Sequence, residues 1–173
     1  YLGHMIEDYF ADGSGFGCNI QYVREEEFLG TAGALSMITP GKPLPLLVMN
    51  GDILSGIDFS SLMDFHASGE YTATVCARAH RVEVPFGVIE MRDNKMYGMV
   101  EKPVYDNIIS AGIYVMQPSV LARIPSSTYL DMPELLLALV KDSMDVGVFV
   151  LEDEWVDVGR HDDLERAKRN FAT

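Results

Sequence analysis

A carboxylate follows the most apolar strand predicted in this sequence. The run LLVM at positions 46–49 ends at Asn50-Gly51-Asp52. A continuous apolar run bounded by turn-forming residues is typical of a strand buried on both faces of a parallel sheet. Ligands bind beyond the carboxyl ends of such strands, so Asp52 is a candidate site residue. The same residues would also suit a simple turn before the next helix, and their spacing alone does not separate the two interpretations.

Two other groups of residues could bind a ligand. The stretch LGTAGAL at 29–35 reads as a Gly-rich loop opening a helix, where backbone N–H groups could hold an anion or a ligand carbonyl. Small residues there serve equally well for close helix packing. Glu101 and Lys102 end a predicted strand and precede Pro103. They could face a ligand, or they could form an ordinary charge pair on an edge strand that the proline stops.

Segments with helical periodicity and segments with strand periodicity alternate along the chain, and the candidate residues lie at their ends. Asp58 is a predicted N-cap, and His66 near the end of its helix is expected at the surface or as a charge partner of the helix C-terminus. Asp131 and Glu134 form a predicted capping box, and the helix after them is apolar nearly all round, so we expect it to be buried. Helices are predicted at 1–11, 58–66, 135–140 and from His161, and strands at 18–23, 46–49, 71–77, 86–91, 96–101, 108–116 and 146–151.

Composition narrows the class of protein. The 173 residues carry a formal net charge of −13, which argues against a nucleic-acid partner because phosphate backbones require basic surfaces. A small phosphate ligand remains possible if a cation sits between the two negative partners. No run is long enough to span a membrane and no signal peptide opens the chain, so we expect no membrane partner. Cys18 and Cys76 lie in apolar contexts without CxxC spacing, which indicates buried, reduced thiols and a cytoplasmic location.

The motifs LGTAGAL, LLVMNGD, FGVIE, EKP, SAGIYV and WVDVGRHDDLERA, taken in this order, resemble the sugar-1-phosphate nucleotidyltransferases, also called nucleotide-sugar pyrophosphorylases. The resemblance covers the chain from Tyr1 to about Phe171 and implies one nucleotidyltransferase domain over 1–173. It implies an α/β fold, a Rossmann-like three-layer sandwich with a mostly parallel mixed sheet. The implied reaction joins a nucleoside triphosphate to a sugar 1-phosphate and releases pyrophosphate.

The resemblance also implies roles for individual residues. The metal ligands would be Asp52 and Asp157, which match the family's two Mg²⁺-binding aspartates; together with Lys102 they are the predicted catalytic residues. The sugar-binding residues would be Glu101 at the hydroxyls, Lys102 at the phosphate and Gly112 under the sugar ring. A glycine inside the apolar strand 108–116 also favours close approach of a ligand or of another backbone. The nucleotide-binding residues would be Glu25, Gly30 and Thr31.

One departure from the family is large. Members open with a buried strand and a Gly-rich loop whose Arg and Lys hold the triphosphate, and nothing from Tyr1 onward matches that loop. The sequence therefore predicts a domain truncated at its N-terminus, lacking N-terminal strands, and we expect this piece to be inactive by itself. It also predicts an exposed edge on strand 46–49, and hence a homo-oligomer or dependence on a preceding segment. A smaller departure is Ser110, where relatives often carry Asn.

Two alternatives remain at this point. A nucleotide-sugar-dependent glycosyltransferase would share the core, although such enzymes place two acids close together where this chain has Asn50-Gly51-Asp52. A non-catalytic regulatory or assembly domain with the same fold would explain the missing phosphate loop. The joint presence of Asp52, Lys102 and Asp157 counts against the second alternative.

Overall fold

The computed structural model describes residues 2–39 and 41–159, which fall into two compact units. One unit combines residues up to 43 with 118–138, and the other combines 44–117 with 139 onward. The helices are α1 (Gly3–Phe10), α2 (Gly30–Gly33), α3 (Phe59–Ser68), α4 (Pro118–Leu121) and α5 (Met132–Lys141), with 3-10 turns at Ser14–Phe16 and Ala34–Met37. The strands are β1 (Leu46–Met49), β2 (Ile53–Ser55), β3 (Ala73–Glu83), β4 (Val88–Arg92), β5 (Lys95–Val100), β6 (Val104–Met116), β7 (Val146–Val150) and β8 (Trp155–Asp157).

The main sheet lies in the second unit and has the strand order β1-β6-β3-β7. Strand β6 is antiparallel to both β1 and β3, while β3 is parallel to β7. Three of these four strands therefore run in one direction and only β6 is reversed. This arrangement confirms the predicted mixed α/β sheet, although just one of its three pairings is itself parallel. Strand β1 forms the edge of this sheet and pairs only with β6 among the described strands.

A bulge interrupts the pairing of β3 with β6. Val75 lies opposite Tyr114, but Ala77 lies opposite Ser110, so three residues of β6, Ala111 to Ile113, lie across from the single residue Cys76. Gly112, at the centre of this bulge, has φ +71°, a left-handed conformation that favours glycine. Beyond the bulge both strands continue, as far as Glu83 and back to Val104, as a mostly exposed two-stranded arm.

The core of the second unit lies between α3 and the bulged region of the sheet. Asp58 caps α3 as predicted, because its carboxylate accepts a hydrogen bond of 2.9 Å from the backbone of Ser60. The helix then buries Leu62 against the sheet. Fully burying a Leu, Ile or Val side chain contributes about 1.5–3 kcal/mol. The buried cluster comprises Ile53, Ile57, Leu62, Cys76, Ala111, Ile113, Val115 and Leu151. Burial raises the pKa of the Cys76 thiol to about 12, as expected for the structural cysteine predicted there.

His66 is not at the surface, and the prediction that placed it there was wrong. Its side chain is fully buried, with Nδ1 2.9 Å from the Thr74 hydroxyl and Nε2 3.1 Å from the Gln117 amide nitrogen. An amide nitrogen can only donate, so Nε2 accepts and Nδ1 donates to Thr74. Burial lowers the pKa of His66, so the neutral form is favoured. The sequence missed this because the buried partners come from other elements.

The hairpin and the segment around Cys18 differ in how well their local sequence predicts their structure. The strands predicted at 86–91 and 96–101 form the hairpin β4–β5, and both central turn residues, Asp93 and Asn94, have positive φ as a type I′ turn requires. The predicted strand at 18–23 is absent, because that segment bonds to the loop before it: Ile20 N donates to Asp12 O at 2.8 Å. Cys18 is exposed rather than buried. The helix predicted from His161 lies outside the described residues.

Helix α5 begins after the predicted capping box, in which Asp131 N donates to Glu134 Oε2 at 3.3 Å. The expectation that this helix is buried all round was wrong. Leu135 and Leu139 are buried, but Leu137 is 67% exposed and Val140 is 56% exposed. Only one face of α5 is covered, although its sequence is apolar on both. None of the helices that the structure describes has the length and apolar character needed to cross a membrane.

Candidate active site

The two predicted metal-binding aspartates lie side by side. Asp52 immediately precedes β2, Asp157 ends β8, and these strands pair so that Ile53 faces Asp157. The backbone carbonyl of Asp52 accepts a 2.8 Å hydrogen bond from Val158 N, and Asp157 Oδ1 accepts one of 2.8 Å from Gly159 N. A Cβ at Gly159 would lie 3.2 Å from Asp52 Oδ2 and 3.0 Å from Asp157 Oδ1. Both carboxylates therefore converge beside the Gly159 backbone.

This pair of carboxylates could hold Mg²⁺. Both aspartates are exposed, and neither forms an ion pair with a lysine or arginine in the described part of the chain. Two adjacent carboxylates without a counter-charge repel each other, and a bound cation would remove that repulsion. No group of three His, Cys, Asp or Glu side chains suited to a metal occurs among the described residues. Mg²⁺ fits a two-carboxylate set because it commonly keeps several waters and takes further oxygens from substrate phosphates.

Gly112 borders the same loop. The carbonyl of Gly112 accepts a 2.9 Å hydrogen bond from Asn50 N, which fixes the start of the Asn50-Gly51-Asp52 turn. A Cβ at Gly112 would lie only 2.9 Å from Asn50 Nδ2. The group that lies close to this glycine is the side chain of Asn50, whereas the prediction named a ligand or another backbone; the approach of a ligand stays a prediction. The turn is held by the bulge of β6 on one side and by the segment after β8 on the other.

Arg78 is a residue of this region that the sequence did not single out. It lies on β3, half-buried, and its Nη1 donates a 2.9 Å hydrogen bond to the carbonyl of Trp155. Its guanidinium carbon also lies 5.3 Å from the centre of the Trp155 ring. The indole Nε1 in turn donates to the carbonyl of Ala111 at 2.7 Å. A single arginine in a strand gives no sequence pattern from which this contact could be inferred.

Glu101 and Lys102 lie away from the carboxylate pair. They form an exposed bend between β5 and β6, and Lys102 has φ +45°. The predicted charge pair between them on an edge strand is not found among the described residues, and a role in facing a ligand stays a prediction. From Val104 to Gly112, strand β6 spans roughly 25 Å at about 3.3 Å per residue. In this conformation the structure does not bring Lys102 next to Gly112, and a common sugar site would require the arm to bend.

The predicted nucleotide-binding loop belongs to the first unit. Gly30 is buried with φ +76°, and a Cβ there would lie 2.7 Å from the carbonyl of Leu130. The backbone N–H of Thr31 donates to Asp131 Oδ1 at 3.0 Å, and the next two N–H groups donate to Leu130 O. Glu25 Oε1 accepts a weak 3.3 Å bond from Leu29 N. These contacts match the packing interpretation of the loop, since its donors are already satisfied within the protein.

Comparison with known proteins places this geometry in context. A family model described as "Nucleotidyl transferase" matches residues 1–173. The mannose-1-phosphate guanylyltransferase of Mycobacterium tuberculosis is 31% identical, over 99% of this chain and 49% of its own length. The UTP--glucose-1-phosphate uridylyltransferase of Synechocystis is 30% identical, over 98% of this chain and 49% of its own length. The chain thus spans about half the length of these curated relatives.

Solved structures show the same fold. HddC from Yersinia pseudotuberculosis, complexed with GMP-PN, superposes with a TM-score of 0.67 at 21% identity, covering 97% of this chain and 74% of that chain. A Bacillus anthracis protein assigned as a glucose-1-phosphate thymidylyltransferase gives 0.72 at 22% identity, covering 96% and 70%. These likenesses confirm the Rossmann-like α/β fold. Because the family model matches the sequence from end to end, the chain belongs to the nucleotidyl transferase family.

Proposed function

We propose that this protein transfers a nucleotidyl group from a nucleoside triphosphate to a sugar 1-phosphate, forming a nucleotide sugar and pyrophosphate. The observation that carries the proposal is the convergence of Asp52 and Asp157 beside Gly159. These are the two positions to which the family resemblance assigns Mg²⁺. The names of the relatives support the reaction class, since they are guanylyl- and uridylyltransferases that act on mannose 1-phosphate and glucose 1-phosphate.

In the proposed reaction an ionised oxygen of the sugar phosphate attacks the α-phosphorus of the triphosphate. A new P–O bond forms there while the bond between the α-phosphorus and its bridging oxygen breaks, and pyrophosphate leaves with that electron pair. No general base is needed, because the attacking oxygen carries no proton. Mg²⁺, when bound, would neutralise charge that develops on the phosphates. Asp52 and Asp157 would hold it, and the hydrogen bonds from Val158 N and Gly159 N fix the backbone of the first and the carboxylate of the second.

The remaining binding roles have unequal support. The role of Gly112 is supported by its position, because its carbonyl accepts a hydrogen bond from Asn50 N in the turn that carries Asp52. The roles of Glu101 and Lys102 are supported by the EKP motif alone. The roles of Glu25, Gly30 and Thr31 are supported by the motif resemblance, and Thr31 N is already bonded to Asp131. We therefore regard Asp52 and Asp157 as the residues to test first.

The open edge of β1 supports the predicted self-association. This strand pairs on one side with β6, and Leu47 and Met49 are 43% and 37% exposed. Strand edges without proline or charge are templates for pairing with another chain. We propose that the protein forms a homo-oligomer or requires further sequence to cover this edge. A cytoplasmic location likewise stays a prediction.

The test combines a binding and a turnover measurement on the purified chain. With Mg²⁺ present, we expect calorimetry to detect binding of mannose 1-phosphate or of glucose 1-phosphate. EDTA should abolish that binding. Pyrophosphate release with GTP, UTP, ATP and dTTP would identify the nucleotide. Asp52→Asn and Asp157→Asn should each lower turnover, or Mg²⁺-dependent binding, by orders of magnitude with unchanged Tm. Sugar 1-phosphate binding that does not require Mg²⁺, or binding and turnover that both variants retain, would contradict the proposal.

A further inference from the structure

Arg78 contacts a tryptophan, and no described carboxylate pairs with it. Its Nη1 donates to the carbonyl of Trp155 at 2.9 Å, and its guanidinium lies 5.3 Å from the centre of the indole ring. No described carboxylate forms an ion pair with it, whereas Arg81 on the same strand pairs with Asp106 at 2.8 Å. The charge of Arg78 is therefore directed at one tryptophan, which it contacts through both the backbone and the ring.

Trp155 connects this contact to the carboxylates. It begins strand β8, whose last residue is Asp157, and it lies opposite Ser55 at the far end of β2. Because each of these strands has only three residues, fixing Trp155 fixes one end of the ladder, and the aspartates occupy the other. The indole Nε1 also donates to the carbonyl of Ala111 at 2.7 Å, which ties the ladder to β6. The Arg78–Trp155–Ala111 contacts thus join the ladder to two strands of the main sheet.

We propose that Arg78 is a positioning residue for the Asp52–Asp157 pair. It acts through Trp155, holding β8 in the position that lets both carboxylates reach one cation. The inference rests on the proposed metal site and adds to it a residue that touches neither metal nor substrate. Groups that orient metal ligands change metal affinity without coordinating the ion.

The experiment is a titration of the full chain with Mn²⁺, a paramagnetic substitute for Mg²⁺, with free Mn²⁺ measured by electron paramagnetic resonance. Arg78→Met retains the bulk of the side chain but removes both contacts, and should weaken Mn²⁺ binding by about tenfold, the lower end of the range for outer-shell partners. Arg78→Lys keeps a charge over the ring without the planar fork, so it should recover part of the affinity. Arg81→Met, on the same strand, is the matched control and should leave the affinity unchanged.

Fluorescence supplies a second readout, because Trp155 is the sole tryptophan of the chain. Its emission should shift to longer wavelength in Arg78→Met and remain unchanged in Arg81→Met, since loss of the guanidinium exposes the ring to water. A folded Arg78→Met variant with wild-type Mn²⁺ affinity would overturn the inference. Unfolding of both Arg78 variants would also overturn it, since Arg78 would then serve the fold rather than the site.

The same titration separates this inference from the proposed function. Asp52→Asn should abolish the Mn²⁺ binding measured in the wild-type chain. If it does so while Arg78→Met has no effect, only the role of Arg78 is wrong. If wild-type binding does not depend on Asp52, the metal site itself is wrong, and the inference falls with it.

Discussion

Asp52 Oδ2 and Asp157 Oδ1 face one small space beside Gly159, where a Cβ would lie 3.2 Å from the first oxygen and 3.0 Å from the second. We therefore expect Gly159→Ala to push the carboxylates apart and weaken Mn²⁺ or Mg²⁺ binding severalfold. The matched control is Gly51→Ala in the adjoining turn, where a Cβ would meet no atom within 4 Å. Neither glycine has a positive φ, so backbone strain does not separate the variants. Equal metal affinity in both would count against a shared site.

Lys102→Ala tests whether the exposed bend between β5 and β6 reaches the sugar phosphate. Lys102 has no described ion-pair partner, so its loss should leave Tm unchanged, and even an exposed pair contributes only about 0–1 kcal/mol. We expect weaker sugar 1-phosphate binding with little change in triphosphate affinity, both measured by calorimetry. Lys95→Ala, in the exposed hairpin, is the control. A uniform loss for both ligands, or none, would mean that the bend does not contact the sugar phosphate.

Gly112→Ala should destabilise the second unit for two separable reasons. Placing alanine at φ +71° costs about 1–2 kcal/mol. The new Cβ would also lie 2.9 Å from Asn50 Nδ2. The double variant Gly112→Ala/Asn50→Gly should recover the steric part and not the backbone part, as measured by urea unfolding against Asn50→Gly alone. If the changes in free energy of unfolding of the two single variants simply add in the double variant, the Asn50 side chain does not clash with a Cβ at position 112.

His66 should make the protein less stable in acid. Its folded-state pKa is lowered by burial below the ordinary value of 6.5, so the unfolded chain binds more protons than the folded chain below that pH. The stabilisation is complete above about pH 6.5 and declines as pH falls, by at most about 1.4 kcal/mol per pH unit for one group. In urea unfolding, the free energy of unfolding of His66→Gln should no longer show this decrease at low pH. His80→Gln, at an exposed position on β3, should keep it.

Self-association should depend on β1. Light scattering at low micromolar concentration should show a dimer or larger species in the wild-type chain. Leu47→Lys places a charge on the half-exposed edge strand and should shift the distribution toward monomer. Ile89→Lys, in the exposed hairpin, tests whether any added charge has the same effect. A wild-type monomer would contradict the predicted oligomer.

Features with local causes could be predicted from the sequence. Asp58 caps a helix because its own carboxylate reaches an N–H two residues on, and the hairpin turns at Asp93-Asn94 because these residue types tolerate positive φ. The apolar runs predicted as strands at 46–49 and 146–151 form β1 and β7 of one sheet. Each depends on residues within a few positions of one another, so a pattern in the chain is enough to indicate it.

The tertiary structure alone decided which residues meet. Arg78 contacts Trp155 across 77 positions, and Thr31 contacts Asp131 across 100, so neither partner could be inferred from spacing. The same holds for the N–H groups of the Gly-rich loop, whose acceptors come from the segment before α5. His66 was expected at the surface because it lies near the end of its helix, but the sheet and Gln117 cover its side chain. Local sequence sets the preferences of the backbone, whereas burial and partnership follow from how distant segments pack.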